Sequence, residues 1–117
     1  MDDKIECIEF SNGNKFWYLN DQRHREDGPA IEYTNGSKYW YLNGQRRRED
    51  GPAIEYANGD KKWYQNDQIH REDGPAIEDA NGDKFWYLND KVYSFNEWCE
   101  LTDKSYEEKC DLALIYG

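Results

Sequence analysis

Cysteine is scarce in this chain: three residues, Cys7, Cys99 and Cys110, with no Cys-x-x-Cys spacing. That odd, scattered set provides neither a disulfide framework nor a zinc knuckle. No apolar run approaches the ~18 residues of a membrane span. The opening MDDKIECIEF has neither the basic start nor the apolar stretch of a secretory signal. The expectation is a soluble protein of the cytoplasm. Also missing are a GxxxxGK[ST] phosphate loop, a G-x-S-x-G elbow and a Cys–His pair at a recognisable spacing. No enzymatic activity, cofactor or metal is expected.

What the chain has in quantity is aromatic residues, 16% of the total, against a mean hydropathy of −1.24. Much of its apolar material is therefore Trp and Tyr. These residues recur. HREDGPAIEY at 24–33 returns as RREDGPAIEY at 47–56 and as HREDGPAIED at 70–79. Asn12-Gly13, Asn35-Gly36, Asn58-Gly59 and Asn81-Gly82 keep the same step of 23, as do Trp17, Trp40, Trp63 and Trp86. Residues 26–48 and 49–71 share 16 of 23 positions. Four units are visible, and an array of this kind sets equivalent residues in rows. Cys7 falls where Ala30, Ala53 and Ala76 stand, so it reads as a small packed residue.

Within a unit, two short runs rich in aromatic and β-branched residues flank an Asn-Gly, the pattern of a β-hairpin. A two-residue loop at Asn35-Gly36 sets Ile31 opposite Trp40, Glu32 opposite Tyr39 and Tyr33 opposite Lys38. It places Ile31, Tyr33, Trp40 and Leu42 on one side, with Ala30, Glu32, Tyr39 and Tyr41 on the other. The same register predicts an Asp79–Lys84 pair. Residues 43–51 read as a longer connection, closed by a Gly-Pro turn at the strand start. The fold class is mainly β: an elongated single antiparallel sheet of stacked hairpins over 1–93, with a helical cap over 94–117.

A unit of the form W-Y-x-N-G-x-x-x-R-E-D-G-P-A-I-E-Y-x-N-G-x-K resembles a MORN-type repeat, in the variant found in accessory proteins of bacteriophages and large viruses. The likeness spans about residues 5–93. Arg-Glu-Asp-Gly stands where the typical unit has a glycine-richer loop. The resemblance implies a twisted sheet of stacked hairpins acting as a binding or assembly scaffold, with no catalytic residues to carry over.

After Val92 the period breaks. Ser94 to Glu97 and Ser105 to Glu108 both read as capping boxes, each opening a helix. Phe95, Trp98, Cys99 and Leu101 suit one buried stripe, and Tyr106, Cys110, Ala113 and Leu114 another, with Cys99 and Cys110 meeting between them, reduced. Such helices would close the end of the array.

Residues 1–48 are electrically neutral overall, so the net charge of −10 belongs to 49–117. That is a poor surface for direct nucleic-acid binding and suits a basic partner. His24, Arg25, Glu26 and Asp27 could suggest acid–base or metal chemistry. Threefold repetition, with Arg47 replacing His in the middle copy, instead indicates a structural charge ladder. The Trp row reads as the apolar spine of a thin sheet. For binding, the expected residues are Tyr18, Tyr41, Tyr64 and Tyr87, with Tyr39 and Phe85 and the Arg25, Arg48 and Arg71 row, a Tyr–Arg composition typical of protein interfaces. The leading expectation is a non-enzymatic protein-binding scaffold, a phage-type inhibitor that occludes a host protein such as a defence factor. Two others are a nucleotide binder using the aromatic and Arg rows, and an acidic mimic of DNA. The N-terminal sheet edge is expected to form a weak homodimer or to accept a partner strand.

Overall fold

A computed structural model describes residues 4–116. The first unit supplies β1 (Glu6–Glu9), β2 (Lys15–Leu19) and β3 (Gln22–Arg23). The second supplies β4 (Ile31–Glu32), β5 (Lys38–Tyr39), β6 (Tyr41–Leu42) and β7 (Gln45–Arg46). The third repeats this with β8 (Ile54–Glu55), β9 (Lys61–Lys62), β10 (Tyr64–Gln65) and β11 (Gln68–Ile69). The fourth closes the array with β12 (Ile77–Glu78), β13 (Lys84–Leu88) and β14 (Lys91–Tyr93). Helices α1 (Phe95–Leu101) and α2 (Tyr106–Tyr116) follow.

The main sheet is antiparallel and runs β1-β2-β4-β5-β8-β9-β12-β13-β14, with β3 joined to β2. Its layout is a single layer of stacked hairpins, and the molecule measures 50 × 34 × 21 Å. Among the described residues no helix is long and apolar enough to cross a membrane.

The register differs by one residue from the one expected. Ile31 faces Tyr39 and Glu32 faces Lys38, and the Tyr33 N–H donates to the Ser37 carbonyl at 3.0 Å. The loop is thus three residues, Thr34-Asn35-Gly36, and only Gly36, at φ +99°, is left-handed. Asp79 accordingly donates its N–H to the Asp83 carbonyl, and Glu78, not Asp79, stands opposite Lys84. The two-residue turns lie instead inside the supposed long connection. Asn43 and Gly44 have φ of 51° and 79°, and the pairs Asn20-Asp21, Asn66-Asp67 and Asn89-Asp90 are also both left-handed. Each closes a small hairpin, as where Leu42 pairs with Gln45.

This register sorts the side chains into rows. One row alternates in sign across the whole sheet: Glu9, Lys15, Glu32, Lys38, Glu55, Lys61, Glu78, Lys84. Cross-strand pairs of opposite charge each stabilise by roughly 0.2–1 kcal/mol. The next row, on the opposite face, is Ile8, Phe16, Ile31, Tyr39, Ile54, Lys62, Ile77, Phe85. Trp40 therefore lies across the sheet from Ile31, not beside it.

Side chains also staple one unit to the next. Asn14 Oδ1 accepts from the Thr34 N–H, Ser37 Oγ from Ala57 and Asp60 Oδ1 from Ala80. His24 and His70 are buried, and their Nδ1 atoms accept from the N–H of Asn43 and Asn89. Asp67 Oδ1 accepts from both the N–H and Nε of Arg46. The Arg46 hydrogen bond holds the Asp67 carboxyl below its usual pKa, and the same contact raises that of Arg46. A carboxylate depressed in the folded state contributes stability above its unfolded pKa, and that contribution disappears as pH falls through the folded value. Asp67→Asn is therefore expected to lose stability at neutral pH yet converge on the wild type below the ordinary carboxylate range. Urea midpoints measured from pH 7 downward check this, and parallel curves would contradict it.

The cap forms as its two Ser-x-x-Glu boxes require: Ser94 Oγ accepts from the Glu97 N–H and Ser105 Oγ from Glu108. Trp98 and Cys99 are buried with Trp86 and Leu112, and Phe95 and Tyr116 pack around them. The stripe expected on α2 is rotated. Tyr106, Cys110, Ala113 and Leu114 are exposed, whereas Leu112 and Tyr116 face the sheet. Leu101 is exposed as well. Cys99 is buried, with its thiol pKa raised by desolvation, while Cys110 is open to solvent and both are unpaired. Cys7 is exposed too, unlike buried Ala30, Ala53 and Ala76, because among the described residues β1 has a strand on one side alone.

Candidate functional site

The sheet has two chemically distinct faces. On one, the guanidinium of Arg25 lies 3.9 Å from the Trp17 ring centre, and Arg48 over Trp40 and Arg71 over Trp63 repeat that distance. Each Arg is fixed by the carbonyl of the Pro four residues on and by the Glu of the following strand. The Arg-Glu-Asp-Gly loop thus folds back over the Trp of its own unit. Trp86 has Ser94 where the period would put the next Arg, and it is covered by Phe95, Trp98 and Tyr116 instead. The helices belong to this face.

The opposite face carries a connected aromatic series. Phe10 meets Phe16 at 5.2 Å between ring centres, Phe16 meets Tyr33 at 5.8 Å, Tyr33 meets Tyr39 at 5.6 Å and Tyr39 meets Tyr56 at 5.9 Å. All four contacts are edge-to-face, the arrangement ring quadrupoles favour. Half-burial among neighbouring phenols pushes the Tyr39 pKa up to about 12, so it remains a neutral hydroxyl. Ile31, between Phe16 and Tyr39, and Ile54, between Tyr39 and Lys62, are buried in the same row.

The series breaks at the third unit, where Lys62 replaces the aromatic and sits 5.4 Å from the Tyr56 ring. Asp79 likewise stands where earlier units have Tyr33 and Tyr56. Between Tyr56 and Phe85 these two substitutions leave an open hollow of about 550 Å³, lined by Ser37, Tyr56, Lys62, Ile77, Phe85 and Tyr87 among others.

The expected binding residues are divided between the faces. Tyr39 and Phe85 share the aromatic face, and Tyr18 and Tyr87, two residues on from Phe16 and Phe85 in β2 and β13, lie beside them. Tyr41 and Tyr64 are held under Arg23 and Arg46, at 5.5 and 4.4 Å. Arg25, Arg48 and Arg71 lie across the sheet. Tyr33, Tyr56, Phe10 and Phe16 complete the aromatic series, and the register that a three-residue loop dictates is the signal that identifies them. Among the described residues no cluster of three or more His, Cys, Asp or Glu is placed to hold a metal.

Comparison of the chain with protein-family models, curated proteins and solved structures finds no match.

Proposed function

We propose that the chain is a non-enzymatic protein-binding scaffold whose partner docks on the aromatic face. The observation that carries this reading is the edge-to-face series from Phe10 to Tyr56, which ends in the hollow between Tyr56 and Phe85 while the helices occupy the other face. Aromatic side chains supply large contact area at low entropic cost, and interface hot spots gather where an anchor enters a desolvated pocket. Lys62 and Asp79 at the rim give the seat both signs of charge. The acidic half over 49–117 favours a basic partner. The likeness to phage and large-virus repeat arrays supports placing that partner among host proteins such as defence factors, with occlusion as the mode of action.

Affinity capture followed by titration of the purified partner tests the face. Phe85→Glu is expected to weaken binding by about 2 kcal/mol or more, the scale of a hot spot. Arg47→Glu, on an exposed side chain of the opposite face, is expected to leave binding within about 0.5 kcal/mol. Equal losses at the two positions, or no protein partner at all, would overturn the proposal. A nucleotide that raises the melting temperature, with Phe85→Glu abolishing the shift, would replace it with small-ligand binding.

A further inference from the structure

The free side of β1 is a sheet edge at the opposite end of the aromatic face from the hollow beside Phe85. Among the described residues β1 pairs with β2 alone. The Phe10 N–H donates to the Asn14 carbonyl at 2.9 Å. By the alternation of an antiparallel ladder, Phe10, Ile8 and Glu6 then direct their backbone groups to β2, and those of Cys7 and Glu9 point to the open side.

The array itself shows what fits there. At each internal unit that side is filled by the second strand of the preceding unit, with a lysine and a tryptophan in fixed places. Lys15 stands opposite Glu32, Phe16 opposite Ile31, and the Trp17 N–H donates to the Ala30 carbonyl at 2.8 Å. Lys38, Tyr39 and Trp40 meet Glu55, Ile54 and Ala53 in the same way. The third junction keeps the lysine and the tryptophan, Lys61 opposite Glu78 and the Trp63 N–H on the Ala76 carbonyl. One period back, Glu9, Ile8 and Cys7 are the equivalents of Glu32, Ile31 and Ala30. Among the described residues they are uncovered on that side. Ile8 is 45% exposed where Ile31 is 3%, and Cys7 is exposed where Ala30 is fully buried. Glu32, Glu55 and Glu78 are each paired with an Arg of the preceding loop; the position equivalent to that Arg for Glu9 is an Asp.

We infer that the free side of β1 is a docking edge for one extended strand of another protein, running antiparallel to β1 and carrying Lys-aromatic-Trp in succession. The lysine faces Glu9, the aromatic ring covers Ile8, and the tryptophan N–H donates to the Cys7 carbonyl. A second copy of β1 is a poor occupant, because its Glu6–Glu9 segment brings only further glutamates, a cysteine and an isoleucine to Glu9.

Fluorescence anisotropy of a labelled, solubly flanked Lys-Phe-Trp-Tyr-Leu peptide against the full chain tests this. Saturable binding is expected, falling about tenfold or more when the tryptophan nitrogen of the peptide backbone is methylated, since one directional hydrogen bond is removed without touching the protein. Glu9→Lys is expected to reject the parent peptide and accept one with glutamate in place of lysine. The Phe85→Glu variant should bind the parent peptide unchanged, which separates this edge from the hollow between Tyr56 and Phe85. Parent, methylated and order-scrambled peptides binding alike, or no saturable binding, would overturn the inference. So would a concentration-dependent dimer in sedimentation that the peptide fails to dissociate, since a second copy would then hold the edge.

Discussion

Trp98→Ala is expected to remove roughly 3–5 kcal/mol of stability, the usual range for deleting a large core aromatic. Trp98 is fully buried in a chain that has few such side chains. Its ring lies 4.5 Å from that of Trp86, and its Nε1–H donates to the Arg71 carbonyl at 3.0 Å. Truncation therefore opens a cavity between α1 and β13 and removes the donor to the Arg71 carbonyl. Trp98→Phe keeps most of the ring contact and should cost about 1 kcal/mol more than a conservative core swap, the weight of the lost hydrogen bond. Urea denaturation with the slope compared among variants checks both. A loss below about 1 kcal/mol for the alanine variant would mean that the cap is not packed on the last hairpin.

Ile54→Ala should cost roughly 2–5 kcal/mol, and its counterpart Ile8→Ala under about 1 kcal/mol, although both occupy the same place in the repeat. The difference is coverage. Ile54 is 3% exposed, between Tyr39 and Lys62, with a strand on each side, whereas Ile8 sits on an edge and is 45% exposed. Ile31→Ala should resemble Ile54→Ala. Equal costs along the series would show that burial by adjacent units is not what the isoleucines contribute. In an array that couples only neighbours, an interior loss also weakens two junctions, so Ile54→Ala should broaden the unfolding transition as well as shift it.

The repeat, the hairpins and the helical ending were all legible because each rests on a local rule: a strict period, turn residues between aromatic runs, and Ser-x-x-Glu boxes. The register was not. Asn35-Gly36 satisfies both a two-residue turn and the last two positions of a three-residue loop, and the choice moves Trp40 to the opposite face. Asn43-Gly44 carried an equally strong turn signal, which charged neighbours at 46–50 disguised as a long connection. The aromatic face followed the same error, since Tyr33 and Tyr56 join Tyr39 only in the correct register. On α2, apolar residues occur all round the helix, so periodicity could not distinguish the Leu112–Tyr116 side from the Tyr106–Leu114 side, and contact with Arg71 and Trp86 decides it.

The staples between units have a kinetic consequence. Asn14 to Thr34, His24 to Asn43, Ser37 to Ala57 and His70 to Asn89 all join residues 19 or 20 apart. Arg46 to Asp67 and Ile69 to Asp90 span 21, and among the described residues only the cap reaches further, as through Arg71 and Tyr116, 45 residues apart. A sheet is ordinarily slow to form because distant segments must find one another before any contact rewards the search. Here each loop closed during folding is about one repeat long, however many repeats are joined. Nucleation can begin at any internal hairpin and spread in both directions by steps of equal length. Adding a unit would lengthen the sheet by roughly 9–10 Å without lengthening the search. The chain has the connectivity of a helical bundle in the geometry of a β-sheet.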